Sequence, residues 1–190
     1  MSGRGIGPGV LVLAVAWAVL GVVGPAGAQS LSPTIIAVVE YDRLMGDSAA
    51  AKSREEQLTK ISNGLQVEID GSEKQLASEQ TELEKQRSIL APEAFQQKAQ
   101  ELQRKVVELK ARVQGINQQL DEARFNADRQ IQGAIFEIVR ELSLERGFNV
   151  ALPAAAVVYA PGDLAITDEV MSRLNQRLPR VEVVLPQAQN

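Results

Sequence analysis

The sequence predicts an α+β protein in which a small β-rich body carries a long antiparallel coiled-coil hairpin of α-helices. Three observations support this fold class. Short runs of β-branched residues lie near both ends of the chain. Residues 48–146 between them are rich in charged residues, Gln and Ala, and their apolar positions recur at helical spacing. One proline-containing break divides this long segment, which therefore predicts two helices that fold back on each other.

The N-terminal segment predicts a secretory signal peptide at residues 1–28. Arg4 precedes an apolar run at residues 10–23, and the small residues 26–28 follow it, as is typical of a signal that is cleaved after Ala28. The alternative is a membrane anchor, but the run is shorter than the roughly 20 apolar residues that cross a bilayer. The chain has no cysteine to carry a lipid. We therefore expect an exported protein that begins at Gln29.

The residue inventory restricts the function. The chain has 20 basic and 24 acidic residues, and without Arg4 the exported part has 19 basic residues and a net charge of −5. This acidic balance argues against nucleic-acid binding. The chain has no histidine and no cysteine, which excludes Ser-His and Cys-His nucleophile systems and most zinc sites. The sequence therefore predicts no enzyme, no cofactor and no metal site.

The body is predicted from residues 29–47 and 147–190. Its expected strands are residues 35–39, 148–152, 157–159 and 181–185, followed or preceded by turn signals. Between the last two, Thr167 is expected to cap a short helix that ends before Pro179. Gly147 is expected to end the long helical segment, whose last turns are apolar on several sides and include Phe136. The predicted core of the body, shared between subunits if the chain oligomerises, is Ile36, Val38, Ile135, Ile138, Leu142, Val150, Leu152, Val158, Ile166, Val170 and Leu174.

The arm is predicted from residues 48–146, with its turn near residues 89–93, where Pro92 suits the first turn of the second helix. Apolar residues of that helix alternate steps of four and three, the a/d pattern of a coiled coil. The first helix is less regular: its seam shifts between Leu65 and Ile69, and Gly64 and Gly71 lie beside the shift, which predicts a flexible region. The expected hairpin seam includes Phe95, Leu102, Val106, Leu109, Val113, Ile116 and Leu120.

Four apolar residues of the arm do not fit the seam: Val67, Ile89, Val107 and Phe125. They are candidates for contact with an unfolded polypeptide, or for contact with a neighbouring arm. Isolated exposed apolar residues are also common on any protein surface. The sequence leaves these alternatives open.

The chain resembles the Skp/OmpH family of periplasmic chaperones. Two motifs carry the resemblance, "IAVVEYDRLMGDSAAAK" at residues 36–52 and "RGFNVALPAAAVVYAPGDLAITDEVMSRLN" at residues 146–175. Within the second, Tyr159, the run Ile166–Val170 and the pair Leu174-Asn175 are the most specific parts. The signal peptide and the hairpin occur in the family's order, so the resemblance covers nearly the whole exported chain.

The resemblance implies a homotrimer in which strands form a joint body and helical hairpins hang from it, like the tentacles of a jellyfish, around a cavity. It implies a holdase of the periplasm that binds unfolded outer-membrane proteins without ATP. The alternative is a periplasmic spacer or adaptor that binds one folded partner. Well-known members are strongly basic whereas this chain is acidic, so the implied contact with the membrane surface is expected to be weak at most.

Overall fold

The computed structural model describes residues 33–186. The predicted signal peptide and residues 29–32 and 187–190 lie outside the described residues. The elements follow in the order β1 (Ile36–Val39), α1 (Tyr41–Asp47), α2 (Ala49–Gln86), α3 (Pro92–Arg146), β2 (Val150–Pro153) and α4 (Thr167–Arg177). The protein is thus mostly helical with a small sheet.

Strands β1 and β2 are parallel, with Ile36 opposite Val150 and Val39 opposite Pro153. Parallel strands need a long crossover connection, and here the crossover is α1 and the entire hairpin of α2 and α3. The Ile166 N–H also donates to the Val38 carbonyl oxygen at 3.0 Å. Three segments that are far apart in the sequence therefore meet at the base of the arm.

The prediction of four strands is wrong for the described part of the chain, where the sheet has only β1 and β2. Residues 157–159 form no strand: Val158 is fully exposed and Tyr159 is 82% exposed. A β-branched run becomes a strand only where another backbone supplies hydrogen bonds, and this segment pairs with none within residues 33–186. Residues 181–185 are not a strand either. The described body is therefore not β-rich but is built largely from helices.

The core lies where β1, α1, α4 and the body ends of α2 and α3 converge. Most of the predicted core residues are buried here, whereas Val150 and Leu152 are half-buried and Ile36 is 37% exposed. Val158 is a correction, because it lies outside the core of the single chain. The expectation that α3 is buried on several sides near Phe136 is also wrong. Phe136 is 67% exposed, because the neighbouring elements cover only one side of α3. The buried members are Val38, Ile135, Ile138, Leu142, Ile166, Val170 and Leu174.

The two arm helices are long and continuous. Helix α2 has 38 residues and α3 has 55, which correspond to about 57 Å and 82 Å. The turn between them spans residues 87–91, slightly before the predicted position, and Pro92 is the first residue of α3. At the body, the Ala51 N–H donates to the Ser48 hydroxyl and so caps α2. Gly147 ends α3 in the left-handed conformation, with φ of 77°, which a glycine adopts without steric cost.

Thr167 does not cap α4, contrary to expectation. Its Oγ1 instead accepts a hydrogen bond of 2.9 Å from the Glu40 backbone N–H, at the junction of β1 and α1. The residue before the helix, Ile166, provides no side-chain cap. The Thr167 hydroxyl therefore connects α4 to a segment 127 residues earlier in the chain.

We predict that Thr167→Val lowers the free energy of unfolding by about 1–3 kcal/mol, because it leaves the Glu40 N–H without its acceptor in a part-buried site. Thr167→Ser keeps the hydroxyl and is expected to cost only about 1 kcal/mol for the lost methyl group. Urea unfolding followed by circular dichroism compares the two variants. Equal losses would show that the hydrogen bond is not the cause.

Candidate functional site: the surface of the helical arm

The four off-seam apolar residues of the arm are all exposed. The exposed fractions are 71% for Val67, 80% for Ile89, 55% for Val107 and 59% for Phe125. Val67 lies on α2, Ile89 lies in the turn, and the other two lie on α3. The structure therefore leaves all four accessible, but it does not gather them into one patch.

Val107 and Phe125 do share one face of α3. They are 18 residues apart, which is five full turns and about 27 Å in an α-helix. Phe136 follows after another three turns, about 20° away around the helix axis. A line of large exposed apolar residues thus runs from the middle of the arm to the body.

The residues that lie between Val107, Phe125 and Phe136 on the same face of α3 are uncharged. We call the positions of α3 between residues 96 and 136 that lie within about 20° of this line the α3 stripe. Each is exposed and none is Asp, Glu, Lys or Arg, although 23% of the chain is charged. Glutamines can exchange hydrogen bonds with a polypeptide backbone, and the apolar residues can cover apolar side chains. The stripe consists of Gln96, Gln100, Val107, Gln114, Gln118, Phe125, Gln132 and Phe136.

Sequence analysis in heptads missed this stripe. A heptad assumes 3.5 residues per turn, whereas the stripe recurs at steps of 4, 7 and 11, which fit a straight helix of 3.6 residues per turn. The sequence predicts burial of this part of α3 on several sides, because Phe136 has apolar neighbours in the sequence. A search for uncharged positions at a period of 3.6 residues would have found the stripe.

The seam of the hairpin remains open on one side. Of the predicted seam residues of α3, Ile116 is buried and the others are half-buried. A pair of helices encloses its seam from two directions only, so apolar side chains remain accessible between them. A groove of about 770 Å³ results in the outer arm. Its apolar lining includes Leu76, Leu83, Phe95, Ala99, Leu102, Val106, Leu109 and Val113.

Polar contacts across the seam hold the outer arm together. The Lys105 Nζ donates to Glu79 at 2.8 Å, and the Lys98 Nζ donates to Gln86 at 2.9 Å. The hydrogen bond from Lys105 holds the pKa of the Glu79 carboxyl below its ordinary value. Glu79 and Gln86 occupy polar positions in the predicted seam, and these contacts give both of them a partner in α3.

Ion pairs fasten α4 to the body end of α3. Arg173 binds both oxygens of Glu145 at 2.8 and 2.6 Å, and Arg177 binds both oxygens of Glu141 at 3.0 and 2.7 Å. Two-point contacts of this kind fix orientation as well as distance. These hydrogen bonds hold the pKa of both carboxyls below the ordinary value of 4.5.

This pKa direction predicts a loss of stability in acid. The contribution of the two pairs is fully present above the ordinary carboxyl pKa of 4.5. It is lost as pH falls through the lower pKa values of the folded state. We expect Glu141→Gln with Glu145→Gln to flatten the decline of unfolding free energy below pH 4.5, in urea titrations at several pH values. An unchanged slope would assign the acid sensitivity to other carboxyls.

Within residues 33–186, no three Asp or Glu side chains are gathered to hold a metal ion. No helix of this part of the chain has the length and apolar character that a membrane crossing requires. The geometry offers a long accessible surface with apolar and amide groups.

The sequence profile of the family Outer membrane protein (OmpH-like) matches residues 35–174. The chain belongs to the OmpH-like family. The matched region includes both strands and the whole hairpin, and it ends within α4. OmpH-like proteins are outer membrane chaperones, so a chaperone role in general follows for this chain.

A solved structure has the same fold. The crystal structure of a Caulobacter crescentus protein assigned as an OmpH-like outer membrane chaperone is similar to this chain, with a TM-score of 0.76 and 20% sequence identity. The similarity covers 85% of this chain and 95% of the other. Curated proteins gave no significant match.

Proposed function

We propose that this OmpH-like protein is an ATP-independent holdase of the periplasm, which binds unfolded outer-membrane proteins between the arms of a homotrimer. The observation that carries the proposal is the α3 stripe, an exposed uncharged surface with a length of about 60 Å. A holdase must bind many sequences weakly and release them, which favours a long surface of scattered apolar and amide groups over a deep pocket. Export by the predicted signal peptide would place the protein where such clients pass.

Assembly into a trimer is supported by apolar surface at the body. Ile35, Val158 and Tyr159 are exposed in the single chain at 51%, 107% and 82%. Large apolar residues that a single chain leaves exposed are candidates for an interface between subunits. We propose that these residues meet equivalent segments of neighbouring subunits.

An aggregation assay tests the holdase function. Several unrelated outer-membrane β-barrel proteins are diluted from urea, and light scattering is followed with and without a stoichiometric amount of the chaperone and no nucleotide. We expect the chaperone to suppress scattering for all of them. Binding of one folded partner without protection of any unfolded client would instead favour the spacer or adaptor.

Matched variants of the arm test the surface. Val107→Glu with Phe125→Glu places two charges in the α3 stripe and is expected to weaken protection strongly, because each buried charge must be desolvated against the client. Val67→Glu with Ile89→Glu adds the same charges to exposed positions outside the stripe. Equal loss of protection in both variants would show that net charge, and not the stripe, determines client binding.

The arms are also expected to splay at low energetic cost. Gly64 and Gly71 lie in α2, and a Cβ atom added at either would meet no other atom within 4 Å. Their replacement by Ala should stabilise the helix by up to about 1 kcal/mol per site. We therefore expect Gly64→Ala with Gly71→Ala to narrow the distribution of tip-to-tip distances between spin labels at Ala91→Cys.

Gly115→Ala is the control, because it makes the same change in α3, where nothing lies within 4 Å of the added Cβ atom. It should leave the distance distribution unchanged. If the variant at residues 64 and 71 is more helical and still trimeric but shows the original distribution, the hinge lies elsewhere.

A further inference from the structure

Residues 178–186, which we call the strap, return from the end of α4 and lie against the body end of the hairpin. Val181 is 2% exposed and Val183 is 9% exposed, whereas Glu182 and Val184 face solvent. Leu185 continues the inward series and is half-buried. The strap therefore alternates inward and outward residues like a β-strand, although it pairs with no strand in the described chain.

Glutamine side chains take the place of a partner strand. The Gln57 Nε2 donates to the Val181 carbonyl oxygen at 2.7 Å, and the Val183 N–H donates to the Gln57 Oε1 at 3.4 Å. One carboxamide thus binds the strap as a peptide group of a neighbouring strand would. The Nε2 atoms of Gln130 and Gln119 donate to the carbonyl oxygens of Glu182 and Pro186 at 3.3 and 3.0 Å.

These four hydrogen bonds all go to the backbone of the strap. The side chains of the strap that pack on the body are the two buried valines and the half-buried Leu178 and Leu185. Recognition through main-chain hydrogen bonds and alternate side chains is the way in which proteins bind extended peptides of varied sequence. The binding groove, formed by α2 and α3 around Gln57, Gln119 and Gln130, therefore has little selectivity for the strap itself.

Few groups bind the strap. Two buried valines, two half-buried leucines and four hydrogen bonds must offset the conformational entropy of nine ordered residues. The strap also begins beyond residue 174, where the match to the OmpH-like family ends.

We propose that the strap covers a second binding groove for an extended polypeptide with an apolar residue at every second position, and that it competes with that polypeptide for the groove. Membrane-spanning β-strands have this alternation, so the inference rests on the proposed function as regards the occupant. A client segment that displaces the strap would be held at the base of the arm while the rest of the client contacts the stripe. A tethered competitor also ensures that a bound segment is released once it can fold elsewhere.

The test uses the full chain and a fluorescent peptide of about ten residues that alternates Val and Thr. The control peptide has the same composition, but its valines are contiguous. Val181→Asp with Val183→Asp should release the strap, and circular dichroism verifies that the helices remain. We expect this variant to bind the alternating peptide at least about tenfold more tightly than the unaltered chain, because it lacks a competitor at high effective concentration.

A second pair of variants identifies the groove. Gln57→Ala in the variant with Val181→Asp and Val183→Asp should abolish peptide binding, whereas Gln97→Ala, at an exposed glutamine of α3 outside both the groove and the stripe, should not. A folded released variant that binds neither peptide, or that binds both equally, would overturn the proposal. So would loss of binding in both glutamine variants.

A disulfide provides the converse experiment. Gln130→Cys with Glu182→Cys joins groove and strap in a chain that has no other cysteine. We expect its oxidised form not to bind the peptide and its reduced form to bind it. Gln130→Cys alone cannot form this bond within the chain and should show no redox effect. Peptide binding by the oxidised first pair would refute the strap as a competitor.

The proposal of a second groove and the proposal of a holdase function can be refuted separately. If the released variant binds the alternating peptide but no form suppresses aggregation of unfolded barrels, the groove stands and the proposed function does not. If all forms suppress aggregation and none binds the peptide, the holdase stands and the groove does not.

Discussion

Replacing Leu142 with Ala is expected to lower the free energy of unfolding by about 2–5 kcal/mol, because the leucine is fully buried where α3 enters the body. The deleted atoms leave a cavity in a core to which α1, α4 and β1 all contribute. Those elements cannot close the gap without moving relative to one another. Chemical denaturation followed by circular dichroism measures the loss.

Leu144→Ala is the matched control. Leu144 lies two residues later in the same helix and is 80% exposed, so its truncation should change the unfolding free energy by no more than about 0.5 kcal/mol. The pair separates burial from helix propensity, since both variants exchange Leu for Ala in one helix. Similar losses at both positions would mean that the outer side of α3 is also packed, for example against another subunit.

The second large effect is expected at Val158 and concerns assembly. Val158 is fully exposed in the chain, and in the proposed trimer it contacts a neighbouring subunit. Val158→Asp would bury an unpaired carboxylate at each such contact, which costs several kcal/mol. We expect association to weaken at least about a hundredfold and the protein to become monomeric in light scattering after size exclusion.

Ile89→Asp is the comparison for this change. Ile89 is 80% exposed and lies in the turn at the far end of the arm, so the same type of substitution should leave the trimer intact. The monomeric Val158 variant should retain its helices, because the residue contributes nothing to the core of its own chain. A stable trimer of the Val158 variant would remove this segment from the proposed interface.

Much of the arm could be predicted because its determinants are local. Pro92 cannot continue a helix from Ala91 and is well suited to begin one, and Gly147 tolerates the left-handed conformation that ends α3. The heptad spacing of α3 likewise indicates a partner helix, and a short turn makes α2 that partner. These conclusions need only residues that are near one another in the sequence.

Contacts between distant residues decided the rest. The Thr167 hydroxyl had a local use as a helix cap and a distant one at the Glu40 N–H, and the structure has the distant one. Residues 181–185 have the alternation of a strand, but the neighbours that they meet are glutamine side chains on helices. Distant contacts also decide the exposure of Phe136, which depends on which side of α3 the body covers.

The amino-acid sequence by itself determined the two long helices, their turn and the apolar seam between them, because helix propensity, capping and periodicity act within a few turns of chain. Tertiary structure alone decided that β1 and β2 pair in parallel, that the third and fourth strands are absent from the described chain, and that the strap is bound by Gln57. The physical reason is that a strand is completed by whichever donors and acceptors the fold brings beside it. For the pairing of β1 with β2, for Thr167 and for Gln57, those groups come from residues more than 100 positions away.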